Sequence, residues 1–99
     1  MLDATFRALS DPTRREILQL LKTRDLPAGE IAARFTMAFA SVSHHLQVLR
    51  DAGLVQSRRE GQFIIYSLDT TVFQDVLQHL LDLAGGPPRR GARTPRGRR

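Results

Sequence analysis

Cysteine and tryptophan are absent from this chain of 99 residues, and tyrosine occurs once. Without cysteine, the chain cannot form a disulfide, a thiolate metal site or a thiol redox switch. The sequence also lacks an apolar run of the roughly 20 residues that a membrane-spanning helix needs. The stretch from Met1 to Arg7 does not have the layout of a signal peptide. Together these absences predict a protein of the cytoplasm.

Acidic residues are missing from the end of the chain. Six of the fifteen basic residues lie after Gly85, with no Asp or Glu among them: Arg89, Arg90, Arg93, Arg96, Arg98 and Arg99. Residues 1–84 hold the remaining nine basic residues and all ten acidic ones, which leaves a formal charge of −1. The net charge of +5 therefore comes from the tail and does not by itself identify a nucleic-acid-binding protein.

The length and composition predict one compact domain at residues 1–84, followed by a basic tail at residues 85–99. The tail is rich in Arg, Gly and Pro, and it has few apolar side chains to offset the entropy lost on ordering. We therefore expect it to be disordered. It could attract DNA phosphates without sequence preference, or it could be a solubilising extension that binds no partner, and the composition favours neither.

Three short helices are predicted in the first third of the chain. Apolar residues that recur at four and three residues define the first helix. Asp11 can cap free backbone amides and Pro12 suits a first helical position, so the second helix is predicted to begin there. Pro27 lies at the entrance to the third. The predicted helices span about residues 2–9, 12–22 and 26–35.

A fourth helix is predicted from Ala40 to Ala52. Its apolar residues again recur at four and three residues, and Gly53 stands where a helix stop is expected. At 100° per residue, one face is small and polar, so it could enter a major groove and offer donors and acceptors to base edges and phosphates. That outward face comprises Ala40, His44, Gln47 and Asp51, flanked by Ser43 and Arg50 on one side and by Ser41 and Val48 on the other.

Two segments rich in Val, Ile, Phe and Tyr follow, at Leu54–Glu60 and Phe63–Leu68, and they predict a β-hairpin with a tight turn. Arg58 and Arg59 lie just before the tip, and Gln62 lies just after it. Side-chain hydrogen-bond donors therefore cluster at the tip of this hairpin. The hairpin resembles a wing, which is a β-hairpin that projects from the body of a domain.

A last helix is predicted to begin at a cap, either Thr70 or Thr71. Its apolar residues form a stripe that is broader than one core-facing side requires: Val72, Phe73, Val76, Leu77, Leu80, Leu81 and Leu83. Surplus apolar surface on a helix indicates a partner helix.

The order of four helices, a hairpin and a last helix is the order of a winged helix-turn-helix domain. Three stretches resemble the signature sequences of the ArsR family of transcriptional repressors: residues 8–15 (ALSDPTRR), 42–55 (VSHHLQVLRDAGLV) and 59–68 (REGQFIIYSL). The resemblance covers about residues 3–84. Within the family, residues 61–64 (GQFI), 69–72 (DTTV) and 74–75 (QD) most resemble a branch of sporulation-delay autorepressors.

The resemblance implies a mainly α fold of the α+β kind, a winged helix-turn-helix with five helices and one two-stranded β-hairpin. It also implies a repressor that binds double-stranded DNA as a homodimer. The two fourth helices would enter successive major grooves of a palindromic operator, about 34 to 36 Å apart. The first and last helices would form the dimer interface, through Leu2, Phe6, Val72, Phe73, Val76 and Leu80.

The resemblance also implies a set of DNA contacts. The groove-facing residues of the fourth helix are Ser41, Ser43, His44, His45 and Gln47, the phosphate contact is Arg50, and the wing contacts are Arg58, Arg59 and Gln62. The family often carries Gln or another polar residue where this chain has Phe39. At the start of the fourth helix, the residue type available for base recognition therefore departs from the family pattern.

Many members of that family sense metal ions, but their ligand patterns are not met in this sequence. Arsenic, cadmium and lead sensors open the third helix with ELCVCDL, whereas residues 25–31 of this chain are DLPAGEI, with Pro27 and Gly29 in the cysteine positions. The zinc pattern of the last helix meets two carboxylates, Asp69 and Asp82, and no imidazole. Helix capping and solvation are the alternative roles of these two acids. We expect no metal and no cofactor.

Several residues have an alternative interpretation. His45 borders the buried stripe, so it could be a packed histidine that reaches phosphate through one nitrogen only. His79 has no metal partner at useful spacing except Asp75, and it is assigned to the dimer surface or to solvent. The two serines of the predicted groove face could simply begin a helix. Phe63 and Tyr66 are expected in the core.

Two other functional classes are considered. A metal- or ligand-gated sensor repressor would change its operator affinity several-fold with zinc or with a chelator. An enzyme or a protein-docking domain has little support, because no Ser/His/Asp set, Gly-rich phosphate loop or paired-carboxylate cleft is apparent.

Overall fold

A computed structural model describes residues 2–85. Except for Gly85, the predicted tail lies outside the described residues. The predicted disorder of the tail therefore also concerns residues outside this range. The elements of the described part are α1 (Asp3–Leu9), α2 (Pro12–Leu21), β1 (Leu26–Pro27), α3 (Ala28–Ala32), α4 (Phe39–Asp51), β2 (Val55–Glu60), β3 (Phe63–Leu68) and α5 (Thr70–Leu83). This order confirms the predicted mostly helical winged helix-turn-helix.

Local signals begin and end the helices as predicted at two positions. Asp11 caps α2, because its side chain accepts a hydrogen bond from the backbone N–H of Arg14 at 3.0 Å. Helix α4 ends at Gly53, which has a φ of +78°. A Cβ at that position would lie only 2.9 Å from a methyl carbon of Val72. The glycine therefore allows both the left-handed turn and the close packing of α5.

The sheet has three antiparallel strands in the order β1-β3-β2, one more than the predicted hairpin. The additional strand pairs Leu26 with Tyr66. Because Leu26 and Pro27 belong to this strand, α3 is shorter than the helix predicted over residues 26–35. Proline is accommodated there because β1 is an edge strand, where one side needs no backbone donor.

The cap of α5 also differs from the prediction. Asp69 occupies the N-cap position and accepts a hydrogen bond from the backbone N–H of Thr71 at 3.0 Å, whereas neither Thr70 nor Thr71 caps the helix. Aspartate is as good a cap as threonine or better, since its carboxylate accepts hydrogen bonds from free amides at the positive end of the helix. Capping was one of the two alternative roles of this residue.

The core lies where α2, α3 and α4 meet the sheet. Its fully buried large side chains are Ile17, Leu26, Ile31, Val42, Leu46, Leu49 and Leu54. Tyr66 packs against this core, as predicted. The prediction for Phe63 is wrong: this side chain is 54% exposed, because it lies beside the hairpin tip, opposite Glu60 and beyond the body of the domain.

Helix α5 covers the core with one side only. Val76 is buried, while Leu77, Leu80, Leu81 and Leu83 remain exposed. None of the helices within residues 2–85 is long and apolar enough to cross a bilayer.

Candidate nucleic-acid interface

Helix α4 presents its polar face to solvent because three apolar residues on the other side hold it to the core. Val42, Leu46 and Leu49 are at most 1% exposed. The exposed residues among those predicted to contact DNA are Ser41, Ser43, His44, Gln47 and Arg50, while His45 is half-buried. The helix face predicted from periodicity is therefore the face that the fold exposes.

The two serines do not begin the helix. Ala38 is at the N-cap of α4, and no side chain caps it. Ser41 and Ser43 therefore lie at the third and fifth helical positions. Neither hydroxyl makes a hydrogen bond within the described residues, so both are free to meet an external partner.

His45 is held by a guanidinium group from another helix. The Nδ1 atom of His45 lies 3.1 Å from Nη1 of Arg14. The same guanidinium donates from Nε to the carbonyl of Ala8 at 2.8 Å and from Nη2 to the carbonyl of Arg7 at 3.0 Å. A guanidinium has only donors, so Nδ1 must accept and the proton of the neutral ring is on Nε2. The Asp11 carboxylate, 3.9 Å from Nδ1, is too distant for a hydrogen bond to it.

This arrangement matches the alternative interpretation of His45, a packed histidine with one nitrogen left for phosphate. Arg14 is not among the residues predicted to contact DNA, since it is 31 residues from His45 and nothing local in the sequence indicates their contact. Arg14 also affects Asp11. The backbone N–H of Arg14 is the main cause that lowers the pKa of the Asp11 carboxyl; desolvation opposes this effect, and the charge of the Arg14 guanidinium adds to it.

Gln47 and Arg50 differ in their contacts. The amide nitrogen of Gln47 donates to Asp51 Oδ1 at 2.8 Å in an exposed bond within α4. An amide nitrogen carries two N–H groups, so one of them bonds to Asp51 and the other is available to donate to a base. Arg50 is exposed in the last turn of α4 and forms no ion pair within the described residues. Its position and free charge suit a phosphate.

On the wing, the structure distinguishes two arginines that the sequence treats alike. Arg58 donates to Glu60 Oε2 at 2.7 Å and to Asp25 Oδ2 at 2.9 Å, and its bond to Glu60 is the main cause that raises the pKa of Arg58. Arg59 contacts only the carbonyl of Gly61, at 3.4 Å, and no carboxylate within residues 2–85. Arg59 therefore carries the unneutralised charge of the wing, whose tip also exposes Gln62.

The residues predicted to form the dimer interface fall into two groups. In the first group, Leu80 is 48% exposed and Phe6 is 37% exposed. The ring centroid of Phe6 lies 6.1 Å from that of His79, and this contact joins α1 to α5. Leu2 is half-buried. The remaining three residues pack against the protomer's own core or lie buried in it: Val72, Phe73 and Val76.

No three His, Cys, Asp or Glu side chains within residues 2–85 lie close enough together to hold a metal ion. The cysteine that a soft-metal site needs is absent from the whole chain.

Comparison with known proteins connects this geometry to one family. Residues 11–57 match the sequence family described as "Bacterial regulatory protein, arsR family". The transcriptional repressor SdpR of Bacillus subtilis (strain 168) is 49% identical over 81 residues, which are 82% of this chain and 90% of that protein. The predicted similarity to the sporulation-delay branch is thereby confirmed.

Solved structures agree with the sequence comparison. An ArsR-like transcriptional regulator from Rhodococcus sp. RHA1 has a TM-score of 0.80 at 32% identity, over 85% of this chain and 77% of that chain. The winged helix-turn-helix DNA-binding domain of Mb0332 from Mycobacterium bovis, which is described as homodimeric, has a TM-score of 0.69 at 27% identity, over 85% and 78%. With a relative nearly half identical over most of both chains, this protein belongs to the ArsR family and is a DNA-binding transcriptional regulator rather than an enzyme.

Proposed function

We propose that this protein is a metal-independent transcriptional repressor of the cytoplasm that binds a palindromic operator as a homodimer. The observation that carries the proposal is the exposed polar face of α4 beside a wing with an unpaired Arg59. The face offers hydroxyls, imidazoles and an amide to base edges, and Arg50 and Arg59 offer charge to phosphates. The similarity to the repressor SdpR supports repression rather than activation.

The shape of α5 supports the homodimer. Four exposed leucines lie in its C-terminal half, while an apolar pocket of about 300 Å³ lies beside its N-terminal end. The apolar walls of this pocket are Leu9, Leu18, Leu68 and Phe73. If two copies of α5 pair antiparallel across a two-fold axis, the leucines of each helix approach the pocket of its partner.

Such a dimer gives a reason for the palindrome. A two-fold axis relates the two α4 helices of the dimer. When these helices are one DNA turn apart, about 34 to 36 Å, each helix meets the same base sequence, read on opposite strands. Repression follows when the bound dimer obstructs transcription. The homodimeric description of the Mb0332 domain is consistent with this assembly.

The test is a gel shift at fixed salt on the DNA upstream of the protein's own gene. The wild-type chain should give a sharp shifted band, and His44→Ala combined with Arg59→Ala should remove it. Arg24→Ala is the matched control, because it deletes the same charge at a residue whose ion pair, with Glu30, lies outside the proposed interface. Retention of the band by the double variant would contradict the assigned contacts.

The same assay tests metal independence. Operator affinity should stay unchanged when zinc is added or when a chelator removes trace metals. A several-fold change in affinity with either treatment would instead support the alternative function, a metal- or ligand-gated sensor repressor.

A further inference from the structure

Phe39 is a large apolar side chain at the first position of α4, and it is 58% exposed. Two neighbouring apolar residues in the preceding turn, Phe35 and Met37, pack against the core instead. The exposure of Phe39 therefore does not result from a lack of apolar surface nearby. It results from its place in the first turn of α4, on the flank that also carries the exposed Ser43 and Arg50.

Phe39 shares that flank with polar residues proposed to contact DNA. Phe39, Ser43, Gln47 and Arg50 recur at four, four and three residues, so they form one row along α4, and all four are exposed. In a helix-turn-helix, the N-terminal residues of the recognition helix are the ones that contact base edges. Phe39 begins this row. In the proposed complex it therefore lies at the end of α4 that meets the base edges in the major groove.

The chemistry of a phenyl ring limits what it can contact there. It has no hydrogen-bond donor or acceptor for the polar atoms of a base edge. The apolar group that base pairs present in the major groove is the C5-methyl of thymine. We propose that Phe39 is a specificity-determining residue that packs against the methyl group of one thymine in each half-site. This inference rests on the proposed function, because it requires α4 to enter the major groove.

The experiment begins with selection from a randomised double-stranded DNA library by the wild-type chain. The selected duplex is then synthesised with uracil in place of thymine, one position per half-site at a time, which removes only the methyl group. At one position, uracil should weaken binding about fourfold, as expected when one buried methyl is lost. The dissociation constant is measured by fluorescence anisotropy at fixed salt.

Two variants locate the effect. Phe39→Ala should bind the thymine and uracil duplexes with equal affinity, whereas Phe63→Ala should keep the fourfold difference. The second variant is a matched control, since Phe63 is 54% exposed but lies on the wing. Both side chains are largely in solvent, so both variants should melt close to the wild-type temperature.

The outcomes separate this inference from the proposed function. If the wild-type chain selects no sequence, both are wrong. If it selects a sequence but uracil changes affinity at no position, or if Phe39→Ala keeps the difference, then only the role of Phe39 is wrong.

Discussion

At the scale of single residues, the partners of a side chain decide what it can offer to DNA. Arg58 and Arg59 are adjacent on β2 and point to opposite faces of the sheet, as strand alternation requires. Arg58 contacts two carboxylates, and Arg59 contacts none within the described residues. A phosphate must therefore compete with Glu60 and Asp25 for Arg58, but it meets Arg59 without such competition.

This difference predicts how each arginine contributes to the salt dependence of binding. Arg59→Ala should reduce the slope of log K against log salt by about 1, the value for one lost phosphate contact. Arg58→Ala should reduce it by clearly less. The operator affinity of each variant is measured between about 50 and 200 mM salt, the range over which such contacts are lost. Equal reductions in the two variants would contradict the distinction.

Asp11 predicts a pH dependence of stability. Its pKa is lower in the folded chain than its ordinary value, chiefly because its carboxylate accepts the N–H of Arg14. The ionised form therefore stabilises the fold at any pH above the unfolded-state value of about 4, and this contribution is lost as pH falls through the lowered value. Asp11→Ala should lower the free energy of unfolding by about 1 kcal/mol at neutral pH, as for other N-caps.

The matched variant for this prediction is Asp11→Asn, which keeps a capping oxygen but cannot ionise. It should cost only a few tenths of a kcal/mol at neutral pH, because asparagine caps about as well as aspartate. Urea unfolding at pH 7 and at pH 3 measures both effects. The advantage in stability of the wild type over Asp11→Ala should shrink between pH 7 and pH 3, and an advantage that grows at the lower pH would contradict this prediction.

At the scale of elements, Arg14 joins three helices. Arg14 belongs to α2. Its guanidinium donates to the carbonyls of Arg7 and Ala8 near the end of α1 and contacts Nδ1 of His45 on α4. The last carbonyls of a helix have no partner within the helix, so these bonds complete the end of α1. Because the third bond reaches the DNA-facing helix, the same side chain holds that helix against the body and sets the tautomer of His45.

Arg14→Ala should destabilise the fold by about 1 to 3 kcal/mol, since it leaves two part-buried acceptors, the Ala8 carbonyl and Nδ1 of His45, without their donor. It should also change the nitrogen NMR spectrum of His45, from a ring protonated at Nε2 in the wild type to a mixture of tautomers. Arg15→Ala is the control, because Arg15 makes one exposed bond, to the carbonyl of Leu9. A purely structural role of Arg14 would lower stability and leave the tautomer unchanged.

At the scale of the whole molecule, the described domain exposes more apolar surface on α5 than a single protomer covers. Leu77 and Leu83 are 58% and 72% exposed, and they share the helix with Leu80 and Leu81. Contiguous apolar surface of this kind on a small domain marks an interaction site. The proposed two-fold dimer covers this surface and at the same time sets the separation of the two α4 helices.

Leu80→Lys should therefore yield a folded monomer that no longer binds the operator. The fold should persist because Leu80 is 48% exposed in the protomer. Gln78→Lys introduces the same charge on a different side of α5, at an exposed residue whose neighbour is Asp82, and it should remain dimeric. Sedimentation velocity gives the assembly state and anisotropy gives the DNA affinity. A Leu80→Lys dimer with full affinity would place the interface elsewhere.

The amino-acid sequence alone was sufficient to predict the order of the five helices and the hairpin, the beginning of α2, the end of α4 and the exposed face of α4. These features depend on signals within a few residues of each other: the period of apolar side chains, a capping Asp11 and a left-handed Gly53. They are local, so they can be found without knowledge of the fold.

Which side chains of the candidate site have partners depends on the tertiary structure. The ion pair of Arg58 with Asp25 spans 33 residues, and the contact of Arg14 with His45 spans 31. The short strand that shortens α3 likewise exists only because Leu26 meets Tyr66 on β3. These contacts join residues that are distant along the chain, and no local period or cap indicates which distant residues will meet.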